Sequence, residues 1–194
     1  KDLADKLGLE VEYKNLQFDA IVPAVAAGGQ VDLGISGITV EPDREKQVNF
    51  SDSYYIDDQC IVVMKDNTSV TADDQSALNA AGVTIAVQSG TTGESYAKEN
   101  FPNATTQPYG NATDCFAAMQ AGQAQAVVTN KAVGKQMVAD AYTDAQVVKE
   151  IATGEEYACA VSKDNDALLS AVNDAIKQLQ DDGTLDALVK KYLG

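Results

Sequence analysis

The clearest chemistry in this chain belongs to Arg44. It follows a short apolar run, VDLGI (31–35), and a Ser-Gly-Ile-Thr segment, Ser36, Gly37, Ile38 and Thr39. A guanidinium is a planar fork of donors that meets both oxygens of a carboxylate at once. Ser36 and Gly37 are small enough for backbone to approach a ligand. If 31–35 is a strand, Arg44 lies beyond its carboxyl end, where the loops of an open α/β sheet leave a crevice for ligands. The competing reading is a surface ion pair with Glu41 or Glu45, a common arrangement that contributes little.

A second group is Gln88-Ser89-Gly90-Thr91-Thr92-Gly93-Glu94, a Gly-rich turn opening a helix. Unpaired N–H groups and the helix dipole favour an anion there. No Lys follows the glycines, so this is not a phosphate-binding P-loop. A plain N-cap by Thr91 or Thr92, with Glu94 in the first turn, explains the same residues without a ligand.

The elements that must hold these groups alternate. Helices are predicted over 1–7, stopped by Gly8, and over 18–27, with Ile21, Val22 and Val25 inward and Gly28-Gly29 after them. Strands are predicted at 9–13, from 31, at 60–64, 83–87, 126–129, 147–151 and 157–161. Further helices follow at 94–100, 114–121, 132–141, 166–179 and 185–192. Helix-strand alternation is the rhythm of a parallel α/β sheet. The stretches 20–37 and 115–130 share one layout of apolar helix, Gly stop, polar pair, strand and turn. Two lobes built on one plan would give that echo, and so would the generic helix-Gly-strand connection.

With 194 residues, 45% of them hydrophobic, the chain can bury one large core or two small ones. No apolar run reaches the ~18 residues of a membrane helix. A formal charge of −15 argues against nucleic acid and anionic membrane surfaces. The absence of His removes Ser-His-Asp catalysis, Cys-His dyads and the usual zinc sets. Cys60, Cys115 and Cys159 are too far apart in sequence for a CxxC motif.

The stretch DLGISGITVEPDREKQVNFSDSYY (32–55) resembles the extracellular solute-binding proteins of polar amino-acid ABC transporters, family 3. The likeness extends over essentially the whole chain. It implies an α/β fold of two lobes, the type II periplasmic-binding-protein fold, each lobe a mostly parallel sheet flanked by helices. Lobe 1 would be 1–57 plus 160–194 and lobe 2 would be 58–159, joined by two crossover hinge strands. A small polar carboxylate, most simply an amino acid, would bind in the inter-lobe cleft and pass to a membrane permease outside the cytoplasm. The membrane is then met only indirectly, and no cofactor, metal or catalytic residue is called for. The resemblance assigns the ligand carboxylate to Arg44 and to Ser89, Gly90, Thr91 and Thr92. It places Phe18 on the ligand's apolar part, although an aromatic entering a helix is ordinarily core. Ser36, Gly37, Ile38 and Thr39 would add backbone and hydroxyl contacts. Cys60 and Cys159, near the two crossovers, would be close enough for a disulfide.

Two departures from the family pattern stand out. Asn130 occupies the strand end where the family commonly has an Asp for the ligand's ammonium. The sequence also starts after the family's usual first strand: either that strand lies in a segment outside this sequence, or another chain supplies it, or this is a fragment. Two other classes share the fold: a dehydratase-like enzyme, which needs an acid in the cleft, and the ligand-binding module of a receptor or an engineered sensor.

Overall fold

A computed structural model describes residues 1–193. The chain divides into two compact units, Lys1–Ile56 with Glu155–Gly194, and Asp57–Gly154. The return to the first unit comes at Glu155, earlier than the sequence reading placed it. The reason is that 147–151 and 157–161 are not two strands. They belong to one, β7 (Ala145–Ser162), in which Gly154 takes a positive φ of 61° as the chain leaves the second unit.

The first unit opens with helix α1 (Asp2–Leu7), ended by Gly8 at φ 65°, a left-handed conformation that glycine adopts without a Cβ clash. Helix α2 (Phe18–Ala27) buries Val22 and Val25 against Ile38, Val48 and Ala160. Strand β1 (Leu33–Thr39), the short helix α3 (Pro42–Glu45) and strand β2 (Val48–Phe50) follow. Both strands pair antiparallel with the carboxyl half of β7, Leu33 opposite Val161 and Phe50 opposite Ala160. Helices α7 (Asp166–Asp181) and α8 (Thr184–Tyr192) complete the unit, with Val172 and Ile176 packed on Cys159.

The strand predicted at 9–13 is not formed. The segment has no ladder partner among the described residues, and Leu9 and Tyr13 are 57% and 75% exposed. Alternating side chains set up extended backbone, but a strand also needs a neighbour for its N–H and C=O groups.

The second unit contains the parallel pairs that the helix-strand rhythm predicts. Its elements are β3 (Tyr55–Met64), β4 (Thr84–Gln88), α4 (Thr92–Asn100), β5 (Thr105–Tyr109), α5 (Ala112–Gln120), β6 (Ala126–Asn130) and α6 (Lys131–Asp140). β3 enters this unit at Asp57. β4 lies between β5 and β6, parallel to both, and β6 runs antiparallel to β3. Alternate residues of β3 feed two cores: Ile61 and Val63 join Leu78, Ile85 and Val128, while Cys60 and Val62 join Phe116, Met119 and Val127. β5 escapes a reading by periodicity because TTQPY is polar; it forms by pairing on β4, and Pro108 is tolerated because the strand ends the sheet.

All three cysteines are free thiols, so the possible Cys60–Cys159 disulfide is not formed. Cys60 and Cys115 share one core, and Cys159 belongs to another. The Cys60 Sγ lies 3.8 Å from the Asn130 carbonyl, and a Cβ at Gly134 would collide with it. Cys159 packs under α7. Among the described residues no helix is long and apolar enough to cross a membrane.

Candidate functional site

In the first unit, Arg44 follows the N1 proline of α3 and is only 9% exposed. Its Nη1 donates to the Thr39 carbonyl at 2.7 Å and lies 3.1 Å from Glu41 Oε2. The Phe18 ring covers the guanidinium, Cζ to centroid 5.4 Å, a cation–π contact. The Glu41 partner anticipated by the surface-pair reading is present, but the arginine it pairs with is buried. Burial lowers the Arg44 pKa, and the Glu41 and Glu155 carboxylates oppose that shift. Glu155 is itself buried and accepts the Thr39 hydroxyl at 2.6 Å. Sequence reasoning missed it, because nothing near residue 155 points to residues 39 and 44.

The Ser-Gly-Ile-Thr segment is not a turn after a strand but a bulge within one. Gly34 pairs with Ala160 and Ile38 with Ala158, so residues 35–37 stand out of the ladder. Ser36 is exposed there. Gly37 takes φ 58° and donates its N–H to the Tyr54 hydroxyl at 3.2 Å. Burial, with the Cys159 thiol adding to it, pushes that phenol up to about 12. Ile38 is fully buried in the α2 core and offers no side chain to a ligand. The Thr39 hydroxyl and carbonyl are engaged by Glu155 and Arg44, so this residue supports the arginine.

In the second unit, Thr91 is the N-cap of α4, its Oγ1 accepting the Glu94 N–H at 3.3 Å and donating to the Gln88 carbonyl at 2.7 Å. Glu94 turns back to accept the Gly90 N–H at 2.8 Å and pairs with Lys98 at 2.6 Å. Burial raises the Glu94 pKa, but those hydrogen bonds outweigh it and leave the carboxyl below its ordinary value. The Ser89 N–H donates to the Tyr109 carbonyl. Thr92 accepts from the side chain of Gln59 at 2.9 Å.

Gln59 is the second residue that the sequence did not disclose. It is 1% exposed and sits directly opposite Asn130 in the β3–β6 ladder. Opposed residues of paired strands share a face, so Thr92, Gln59 and Asn130 form one polar group at the carboxyl ends of β4 and β6. Gly93 is needed here for packing: a Cβ would lie 3.0 Å from the Val128 carbonyl oxygen and 3.1 Å from Gln59 Oε1. Asn130 is half-buried, is the N-cap residue of α6, and does not cap that helix with its side chain. The cap comes from Asp57, whose Oδ2 accepts the Ala132 N–H at 3.2 Å.

Compared with known proteins, the chain matches the model for bacterial extracellular solute-binding proteins, family 3, over residues 1–194. It is 33% identical to the arginine-binding extracellular protein ArtP of Bacillus subtilis strain 168, over 99% of this chain and 74% of that protein. It is 29% identical to the L-cystine-binding protein TcyJ of Escherichia coli K12, over 100% and 71%. Among solved structures, an ancestral arginine-binding protein bound to arginine superposes with a TM-score of 0.91 at 36% identity, covering 100% of this chain and 85% of that one. The ancestral amino-acid-binding protein AncCDT-1, a precursor of cyclohexadienyl dehydratase, gives 0.90 at 37%, covering 100% and 82%.

Proposed function

Since the chain belongs to the bacterial extracellular solute-binding proteins of family 3, we propose that it captures a free amino acid outside the cytoplasm and delivers it to an ABC-transporter permease. The observation that carries this reading is Arg44. The guanidinium is buried under Phe18 and held in place by the Thr39 carbonyl and the Glu41 carboxylate. Its fork suits an α-carboxylate. Within the second unit, taken by itself, Thr91 and Thr92 open helix α4, whose N-terminus also favours a carboxylate.

Binding without turnover is the favoured reading. A dehydratase needs a group that gives up a proton near neutral pH, which calls for a raised carboxyl pKa. Glu94, the one acid in the Gly-rich turn, is shifted the opposite way. The relatives are named for arginine and cystine, so the ligand class is an amino acid.

A thermal-shift screen of L-arginine, L-glutamine and L-cystine, followed by calorimetry, tests the proposal. A ligand present at 100 times its Kd should stabilise the protein by ~2.7 kcal/mol. No shift and no binding heat across the amino acids would sink it.

A further inference from the structure

If the amino acid of the reading above sets its ammonium against the polar group of Thr92, Gln59 and Asn130, the Asn130 side chain supplies an acceptor oxygen but no counter-charge. The setting makes the lack worse. Asn130 is the N-cap residue of the ten-residue helix α6, and the positive end of a helix dipole repels a cation.

The same unit holds a carboxylate beside it. Gln59 is opposite Asn130 in the antiparallel β3–β6 ladder, and alternate residues along a strand share a face, so Asp57 projects on the Gln59–Asn130 side. The Ala132 N–H bond to Asp57 Oδ2, 3.2 Å, fixes that carboxylate in the first turn of α6. Asp57 is 1% exposed. Its neighbour Asp58 pairs with Lys131 at 2.6 Å and accepts the Gly154 N–H at 3.1 Å; Asp57 acts on that same lysine ammonium, so the two carboxylates and the one lysine leave a net negative charge at the start of α6. The diagonal from Asp57 to Asn130 is the kind of cross-strand separation that runs to roughly 7–8 Å, close enough for a charge to act in a poorly solvated interior.

We propose that Asp57 carries the negative charge of this subsite. Held at the start of α6, it offsets the helix's positive end and attracts a ligand ammonium that is hydrogen-bonded by the Asn130 amide oxygen. Asp57 does not touch the ligand; it is a positioning charge. The inference rests on the amino-acid reading above and adds to it the source of ammonium selectivity.

The test uses the full chain and two probe pairs, L-arginine with 5-guanidinopentanoate and L-glutamine with 4-carbamoylbutanoate, each pair differing by the α-ammonium. The parent should prefer the amino acid by at least about tenfold. Asp57→Asn keeps an oxygen for the Ala132 N–H, so a cap alone would survive it. The variant should lose most of the preference, with affinity for the des-amino probe changing less than about threefold. The exchange Asp57→Asn with Asn130→Asp should restore the preference by moving the charge back to the strand end. Undiminished preference in Asp57→Asn, or equal loss for both members of a pair, overturns the inference and leaves the functional reading standing. Should Asp57→Asn fail to fold, the parent still decides: no preference for the ammonium-bearing probe means that this subsite exerts no charge. A parent that binds none of the four probes overturns the functional reading and this inference together.

Discussion

The two units arrange their polar groups by opposite means. In the first, one full charge dominates: Arg44, with Glu41 and Glu155 as counter-charges and Phe18 over the guanidinium face. In the second, around Thr92, the group consists of amides and hydroxyls: Thr92, Gln59 and Asn130, beside the capped start of α4. A buried charge concentrates binding energy in one side chain, so its loss is severe. A neutral network spreads the energy over several bonds and ties it to the packing of the unit.

Arg44→Ala gives the largest expected effect. Removing one member of a buried, hydrogen-bonded ion pair costs roughly 3–5 kcal/mol, on the order of two to three decades in affinity. Calorimetry with the best ligand from the screen would show it, and affinity within threefold of the parent would mean that Arg44 is not the clamp.

Gly93→Ala probes the opposite side of the comparison. Its Cβ would press on the Val128 carbonyl at 3.0 Å and on Gln59 Oε1 at 3.1 Å. Overpacking of this kind costs about 1–3 kcal/mol, read as a lower denaturant midpoint at an unchanged slope. An unaltered midpoint would show the Gln59 network to be looser than described.

Thr91→Ala removes the α4 cap and should lower stability by about 1 kcal/mol. Because Glu94 still holds the Gly90 N–H, the fold should survive and the loss should appear in the same unfolding curves. A loss of stability above that of Gly93→Ala would reverse the order set out here.

The smallest effect concerns the thiols. Burial pushes Cys60 and Cys115 up to about 12 and Cys159 up to about 11. At pH 8 all three are protonated, and only the thiolate reacts. A thiol reagent should therefore label none of them quickly in the native protein and three after denaturation, with ligand affinity unaffected by reductant. Fewer than three thiols in unfolded, unreduced protein would reinstate a disulfide.

The contrast also explains which parts of the site were legible in the chain. Arg44 and the Gly90-Thr91-Thr92 turn could be singled out because their signals are local: a fork near a strand end and a cap before a helix; Phe18 stands out only through the resemblance. Glu155 and Gln59 carry no such local signal. Each works through a partner reached only when strands pair, 116 residues away for Glu155 with Thr39 and 33 for Gln59 with Thr92. Ile38 shows the opposite case: the bulge at 35–37 returns its side chain to the core, which leaves only its backbone to face a ligand.

By itself the sequence determined the helices with their glycine stops, most of the apolar strands and the lack of histidine chemistry. These follow from side-chain type and from spacing along one segment. Only the tertiary structure decided that 145–162 is one strand, that 9–13 remains unpaired, that Cys60 and Cys159 stay as separate buried thiols, and that Asp57 lies at the start of α6 beside Asn130. Those outcomes depend on register and on which distant segment comes to lie alongside, and a ladder partner leaves no mark on the residues it pairs with until the sheet has formed.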